Sequence, residues 1–320
     1  MNQIKPTIDR VAKACAARMI FGNGLSRWLG GLPLAEPAYS QSYLRHPLSL
    51  VFKSSQSRPM PEGHTIHRIA ADHIRDFAGQ TLKASSPQGR FTADAKKLTG
   101  RQLETVEAWG KHLFYRWSAG KALHIHLGLY GKFRRHKLPV PEPRGAVRLR
   151  VIGEKYAFDL NGPNCCELVT AAQIRAIEDR LGPDPLRKDA DPEVVWNRIS
   201  RSRAAIGTLL LNQAVIAGVG NVYRAEALHL VHLNPERQGK SLSRGEFDEL
   251  WSTIVSLLKI GKRYNRIIVA DPEDVGKSRS KMNRDERLLI YKKEYCRCGA
   301  KVRWWELANR NMFACPVCQK

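Results

Sequence analysis

Four cysteines near the end of the chain, in the pattern Cys296-x-Cys298-x16-Cys315-x2-Cys318, are the residues whose type and spacing most directly imply chemistry. Two close pairs of thiolates brought together suit tetrahedral Zn²⁺, with Zn–S distances of about 2.3 Å. Between the pairs, Val302–Trp305 and Asn311–Phe313 read as the two strands of a hairpin too small to hold its own core without a metal. The expectation is one structural Zn²⁺ per chain. The Cys-x-Cys spacing, tighter than the usual Cys-x2-Cys, leaves open whether Cys296 ligates.

Two further stretches could meet a polyanion. Gly218-Val219-Gly220-Asn221 follows an apolar run, and Asn221 is expected to cap a helix whose free N–H groups could bind phosphate. A plain interhelical turn is the alternative. Leu129 and Tyr130 stand between Gly128 and Gly131, followed by Lys132-Phe133-Arg134-Arg135. Exposed, they could wedge into a base stack beside cations that hold phosphates; buried, they would be an ordinary strand end.

Composition supports a polyanionic partner. The 320 residues carry 53 Lys+Arg against 30 Asp+Glu, a net charge of +23. At 43% hydrophobic and 26% charged the chain is globular in composition, which excludes disordered, collagen-like and coiled-coil classes. No stretch offers the roughly 18 uncharged apolar residues of a membrane span, so a cytoplasmic, non-membrane protein is expected, and nothing points to a dimer interface, so a monomer is expected. Clustered cysteines indicate a metal site in a reducing compartment; Cys15, Cys165 and Cys166 are expected to be ordinary thiols. Residues 1–59 hold only Asp9 and Glu36 as acids and show no sustained period, reading as an extension that is disordered or absent from the working protein.

The elements that must position these groups are legible as periods. Ile66, Ile69, Ala70, Ile74 and Phe77 predict a helix over 63–77. From 81 to 160 the period falls to two, with turns at Ser118–Lys121 and Gly153-Glu154, which predicts antiparallel hairpins. Helical spacing returns over about 184–262, where Ser243 and Glu246 form a capping-box pattern ahead of Phe247, Leu250, Trp251, Ile254 and Leu258. Polar, charged 270–287 reads as a flexible loop.

Taken with Met60-Pro61-Glu62-Gly63, these motifs resemble the formamidopyrimidine-DNA glycosylase and endonuclease VIII family, the endonuclease VIII branch more closely. The likeness runs from Met60 to the C-terminus. Ala108-Trp109-Gly110-Lys111-His112 resembles the segment carrying the family's strand lysine, and Gly218 to Glu226 its helix–two-turn–helix signature. Asn309-Arg310 resembles its zinc-finger arginine, and Leu129-Tyr130 the endonuclease VIII wedge. The resemblance implies an α+β, multidomain fold: an antiparallel β-sandwich with a flanking helix over 60–182, a helical helix–two-turn–helix domain over 183–290 and a zinc-finger hairpin over 291–320. It implies a bifunctional glycosylase and abasic-site lyase acting on double-stranded DNA with oxidised, mainly pyrimidine, bases or abasic sites, and cutting by β,δ-elimination. Pro61 would be the nucleophile and Glu62 the acid/base. Lys111, Asn221 and Arg310 would lie on phosphates, with Leu129, Tyr130 and Lys132 at the DNA. Thr65 stands where many members carry a glutamate and receives no role.

The chemistry sets one condition. An N-terminal proline is a secondary amine, able to attack C1′ of deoxyribose. With residues ahead of it, its nitrogen is a tertiary amide with no usable lone pair. Met60 followed by removal of that methionine would expose Pro61. Without exposure, a non-catalytic DNA-damage or DNA-structure binder is the alternative, and a zinc-ribbon RNA-binding protein a third.

Overall fold

A computed structural model describes residues 61–320; the expectations for residues 1–59 lie outside the described residues. Helix α1 (Gly63–Phe77) buries Ile66, Ala70, His73 and Phe77 on one face and ends at Ala78, as its spacing predicts. The strands β1 (Thr81–Ser85), β2 (Arg101–Trp109), β3 (His112–Trp117), β4 (Lys121–His126), β5 (Lys132–Lys137), β6 (Val147–Ile152), β7 (Tyr156–Asn161) and β8 (Cys165–Val169) are all antiparallel. They form one sheet in the order β5-β7-β6-β1-β2-β3-β4-β8. β1 divides itself between partners: Thr81 and Leu82 pair with β2, Lys83 to Ser85 with β6. The two halves hinge there and enclose one core. Leu103, Leu113, Tyr115 and Ile125 from one side meet Leu149, Val151, Phe158 and Leu160 from the other. One helix escaped the period-two reading, α2 (Thr92–Leu98), and a further helix, α3 (Ala171–Glu178), follows the last strand of the sheet.

The remainder is helical: α4 (Pro192–Ile199), α5 (Ile206–Leu209), α6 (Asn221–Leu230), α7 (Arg244–Tyr264) and α8 (Pro272–Val275). The Ser243 side chain accepts from the Glu246 N–H and Glu246 returns a bond to the Ser243 N–H, the reciprocal cap expected at α7. Strands β9 (Arg303–Glu306) and β10 (Asn311–Ala314) pair as a hairpin, and its Val302, Met312 and Phe313 join the core of α4–α7. The architecture is α+β. Among the described residues no helix is long and apolar enough to cross a membrane.

Residues 270–287 form a mostly irregular segment with one helical turn. Asp271 caps α8 through the Glu273 N–H, Ile268, Ala270 and Met282 form a small buried cluster, and the N–H groups of Val269 and Ala270 donate to Arg287 O.

His73 sits in the sheet core, its Nδ1 2.7 Å from Tyr115 Oη and its ring stacked 4.5 Å from Phe158. Burial lowers its pKa to about 4, and lowers that of His64 to about 4 as well. In the unfolded chain both would take up protons near pH 6.5. Below that pH the unfolded state therefore binds more protons than the fold, and stability falls until the folded values are reached. Denaturant titrations should show stability dropping between about pH 6.5 and 4, by up to about 1.4 kcal/mol per pH unit for each histidine; His73→Phe should flatten the slope.

Candidate active site

Pro61 is half-buried and leads into α1. Glu62 is the N-cap residue of α1, with φ −107° and ψ 174°, yet its carboxyl makes no bond to that helix. Instead Oε1 accepts from the Val222 N–H at 3.0 Å, 160 residues away. Val222 is the second residue of α6, whose own N-cap is Gly220. This corrects the expectation for Asn221, which is the first helical residue. A helix start leaves N–H groups without partners, and glycine has no side chain to satisfy them. Glu62 supplies the missing cap from the other half of the molecule.

The approach demands glycine. A Cβ on Gly220 would lie 2.3 Å from Glu62 Cδ, and one on Gly63 2.8 Å from Gly218 Cα. The Gly63 N–H donates to Gly218 O at 2.8 Å. Lys111 Nζ donates to Val219 O at 3.0 Å. Gln213 holds the same loop, donating to Val219 O at 2.9 Å and accepting from the Gly218 N–H at 3.0 Å. Lys111 lies not on a strand but in the Gly110-Lys111 turn between β2 and β3. Asp184, buried, fixes that turn: it accepts from the Gly110 N–H at 2.7 Å, pairs with His67 Nε2 at 2.6 Å and accepts from the Leu186 N–H at 2.9 Å.

Burial sets the electrostatics. It holds the Glu62 carboxyl above its ordinary value, against the Lys111 charge and the N–H groups of Val222, Tyr223 and Gly220. Burial likewise lowers the Lys111 ammonium, opposed by Glu62 and reinforced by Arg310. One Glu62 oxygen caps α6, while Oε2 is buried with no hydrogen-bond partner. A carboxyl whose pKa is raised and which keeps one oxygen uncommitted suits a general acid/base.

The structure gathers most of the expected residues here. Asn221 Nδ2 donates to Asn311 O at 2.9 Å, and Asn221 Oδ1 accepts from Arg224 Nε at 3.0 Å. Arg310 is exposed on the β9–β10 turn, where Ala308 and Asn309 both have φ 57°. Leu129 and Tyr130 project from the turn after β4, 50% and 80% exposed, rather than forming a buried strand end. Lys132 opens β5 at intermediate exposure.

Several contributors were not singled out in sequence. Arg224, fully buried, donates to Gly207 O, Leu307 O and Arg310 O and so ties α6 to the turn that carries Arg310. Glu226, also fully buried, accepts from the N–H groups of Leu289, Ile290 and Tyr291. His126 lies close enough to Lys111 for that charge to add to burial and His124 in lowering its pKa. The α6 segment carried a signal as a motif; roles for these side chains did not, because their partners are remote in sequence.

The sulfurs of Cys296, Cys298, Cys315 and Cys318 all lie within 4.8 Å of one another. Cys296 and Cys318 are 3.9 Å apart, and Cys298 and Cys315 3.5 Å. An ideal ZnS4 tetrahedron has edges of about 3.8 Å, so the donor set fits a metal ion, with the Cys296 sulfur among the converging four.

Comparison with known proteins agrees with this geometry. The formamidopyrimidine-DNA glycosylase N-terminal domain matches residues 60–161, and the formamidopyrimidine-DNA glycosylase H2TH domain matches residues 181–271. Endonuclease 8 1 of Mycobacterium tuberculosis is 47% identical over 267 residues, spanning 81% of this chain and 100% of that protein. The formamidopyrimidine-DNA glycosylase of Thermomicrobium roseum is 29% identical, over 81% of this chain and 98% of its own length. The fold matches that of the Lactococcus lactis Fpg solved with DNA containing an abasic site, at a TM-score of 0.68 and 24% identity, covering 81% of this chain and 99% of that one. The chain belongs to the formamidopyrimidine-DNA glycosylase and endonuclease VIII family of DNA-repair glycosylases.

Two outcomes are expected. The ionised Glu62 is penalised in the fold, so Glu62→Gln, which keeps an acceptor for Val222, should raise the melting temperature. Because a raised carboxyl pKa costs stability as pH rises above its unfolded value, the gain should grow with pH above about 4.5 and vanish below it. Replacing Glu226 with Leu should leave three buried N–H groups unpaired and lower stability by about 3 kcal/mol or more, measured by urea unfolding.

Proposed function

We propose that this chain, with Pro61 as its N-terminal residue, removes oxidised, mainly pyrimidine, bases from duplex DNA and cleaves the strand at the resulting abasic site. The observation that carries this reading is the Pro61-Glu62 pair, with Glu62 buried on the α6 N-terminus beside Lys111 and one oxygen uncommitted. The target nucleotide must leave the stack to be reached; Leu129 and Tyr130, exposed on a short turn, would fill the space it vacates. Lys111, Asn221, Arg310 and Lys132 would hold phosphates around it.

The Pro61 nitrogen, as a neutral secondary amine, attacks C1′; the N–C1′ bond forms, the glycosidic bond breaks with its electron pair on the base, and the amine's proton passes to the departing base. Glu62 protonates the sugar ring oxygen, the ring opens, and a cationic iminium remains at Pro61. The iminium draws electrons from C2′, whose proton is lost, and the 3′ phosphate leaves. Loss of a further proton expels the 5′ phosphate, and hydrolysis of the imine frees the enzyme. A free terminal amine has a pKa of about 8. The Lys111 charge and the N-terminus of α1 would lower it toward neutrality. A Zn²⁺ ion held by Cys296, Cys298, Cys315 and Cys318 would brace the hairpin carrying Arg310 and takes no part in bond breaking.

That the family match begins at residue 60, and that the mycobacterial relative is covered along its whole length by 81% of this chain, supports Met60 as the initiator that is removed. The test is single-turnover excision on a duplex with one oxidised pyrimidine. Protein whose terminus is verified as Pro61 should excise and nick; protein retaining residues 1–59 should bind without excising. Glu62→Gln should lose a factor on the order of 10²–10⁴ in excision while binding is kept. Equal excision with Pro61 exposed or blocked would overturn the reading. Leu129→Ala with Tyr130→Ala should weaken excision from duplex more than from a mismatched site, where unstacking costs less.

A further inference from the structure

The face of the sheet formed by β3, β4 and β8 carries a second group of donors. His124 pairs in register with Glu167, His126 with Cys165, and His112 with His126. Alternate residues share a face, so all five side chains project on the same side, next to the sheet's terminal strand. Three donor atoms converge there. His124 Nδ1 is 3.4 Å from Cys165 Sγ and 3.4 Å from Glu167 Oε1, and Cys165 Sγ is 3.2 Å from Glu167 Oε1. The edges of a zinc tetrahedron built from one N, one S and one O ligand are about 3.4–3.6 Å.

The surroundings favour ligation. His124 Nε2 lies 2.9 Å from His112 Nδ1. A proton on that Nε2 leaves the Nδ1 lone pair facing Cys165 and Glu167, the outer hydrogen bond that orients a ligating histidine. In that tautomer nitrogen, sulfur and carboxylate oxygen share a single thiol proton, which can satisfy only one of the other two. A cation satisfies all three. His124 is buried, Cys165 half-buried and Glu167 exposed, so one side is open for a water as fourth ligand.

We propose that His124, Cys165 and Glu167 form a second metal site, open on one side, that binds a borderline-soft divalent ion of the Zn²⁺ class separately from the four-cysteine cluster. On binding, the Cys165 thiol gives its proton to solvent and the metal–sulfur bond forms. Cys165 is then a ligand rather than the ordinary thiol its sequence context implied.

The test uses the full chain with its four-cysteine cluster already loaded with zinc. Co²⁺ is titrated in and followed by optical absorption, with bound metal counted after gel filtration. One further equivalent is expected, with a charge-transfer band from a single thiolate that added Zn²⁺ abolishes. Cys165→Ser should remove the band. Glu167→Gln, at an exposed position, should weaken binding by more than the roughly 10–100-fold that loss of an outer-sphere partner costs. Absence of a second equivalent in the unaltered protein would overturn the proposal, as would binding of that equivalent by both variants as tightly as by the unaltered protein.

Discussion

The candidate site depends on one long-range interaction: the carboxyl of Glu62 completes the N-terminus of a helix by accepting from an N–H group 160 residues later. The helix cannot cap itself because its N-cap is Gly220, and Gly220 cannot be larger because the Glu62 carboxyl occupies the place of its Cβ. Each residue is a condition for the other. The same contact draws Gly63 onto Gly218 and places Lys111 on Val219 O, so the proline, the acid and the lysine are fixed by one loop.

That arrangement is electrostatically costly, and under the proposed function the cost has a use. Burying a carboxyl raises its hold on a proton, and burying a lysine loosens one. The two groups moderate each other without relieving the burial. A surface carboxylate would be more stable and a poorer acid at neutral pH. Rigid neighbours hold the pair in place. Asp184 bonds to α1, to the Lys111 turn and to the chain entering the helical half, while Arg224 and Glu226 secure the hairpin and the segment before it.

What the sequence made legible was local. The periodicity of Ile66, Ala70 and Phe77 marked α1, alternation marked the hairpins, and the Ser243–Glu246 spacing marked the start of α7. The cysteine spacing marked a metal cluster whose four sulfurs do converge. What it concealed was non-local. Asn221 has the right side chain for a cap, but the cap comes from Glu62; Lys111 sits beside strand residues, yet the left-handed Gly110, φ 57°, turns the chain there. The buried roles of Arg224 and Glu226 depend on backbone groups 17 to 86 residues away, which no local period reports.

Under the proposed function the reacting amine is that of Pro61, and Lys111, the nearby part-buried amine, only positions and tunes. Borohydride reduction of the enzyme on abasic-site duplex, followed by proteolysis and mass mapping of the DNA-linked peptide, separates the two directly. With the terminus confirmed as Pro61, the account predicts a single adduct on the peptide beginning Pro61-Glu62-Gly63. An adduct on Lys111, or none despite tight binding to the same duplex, would contradict it.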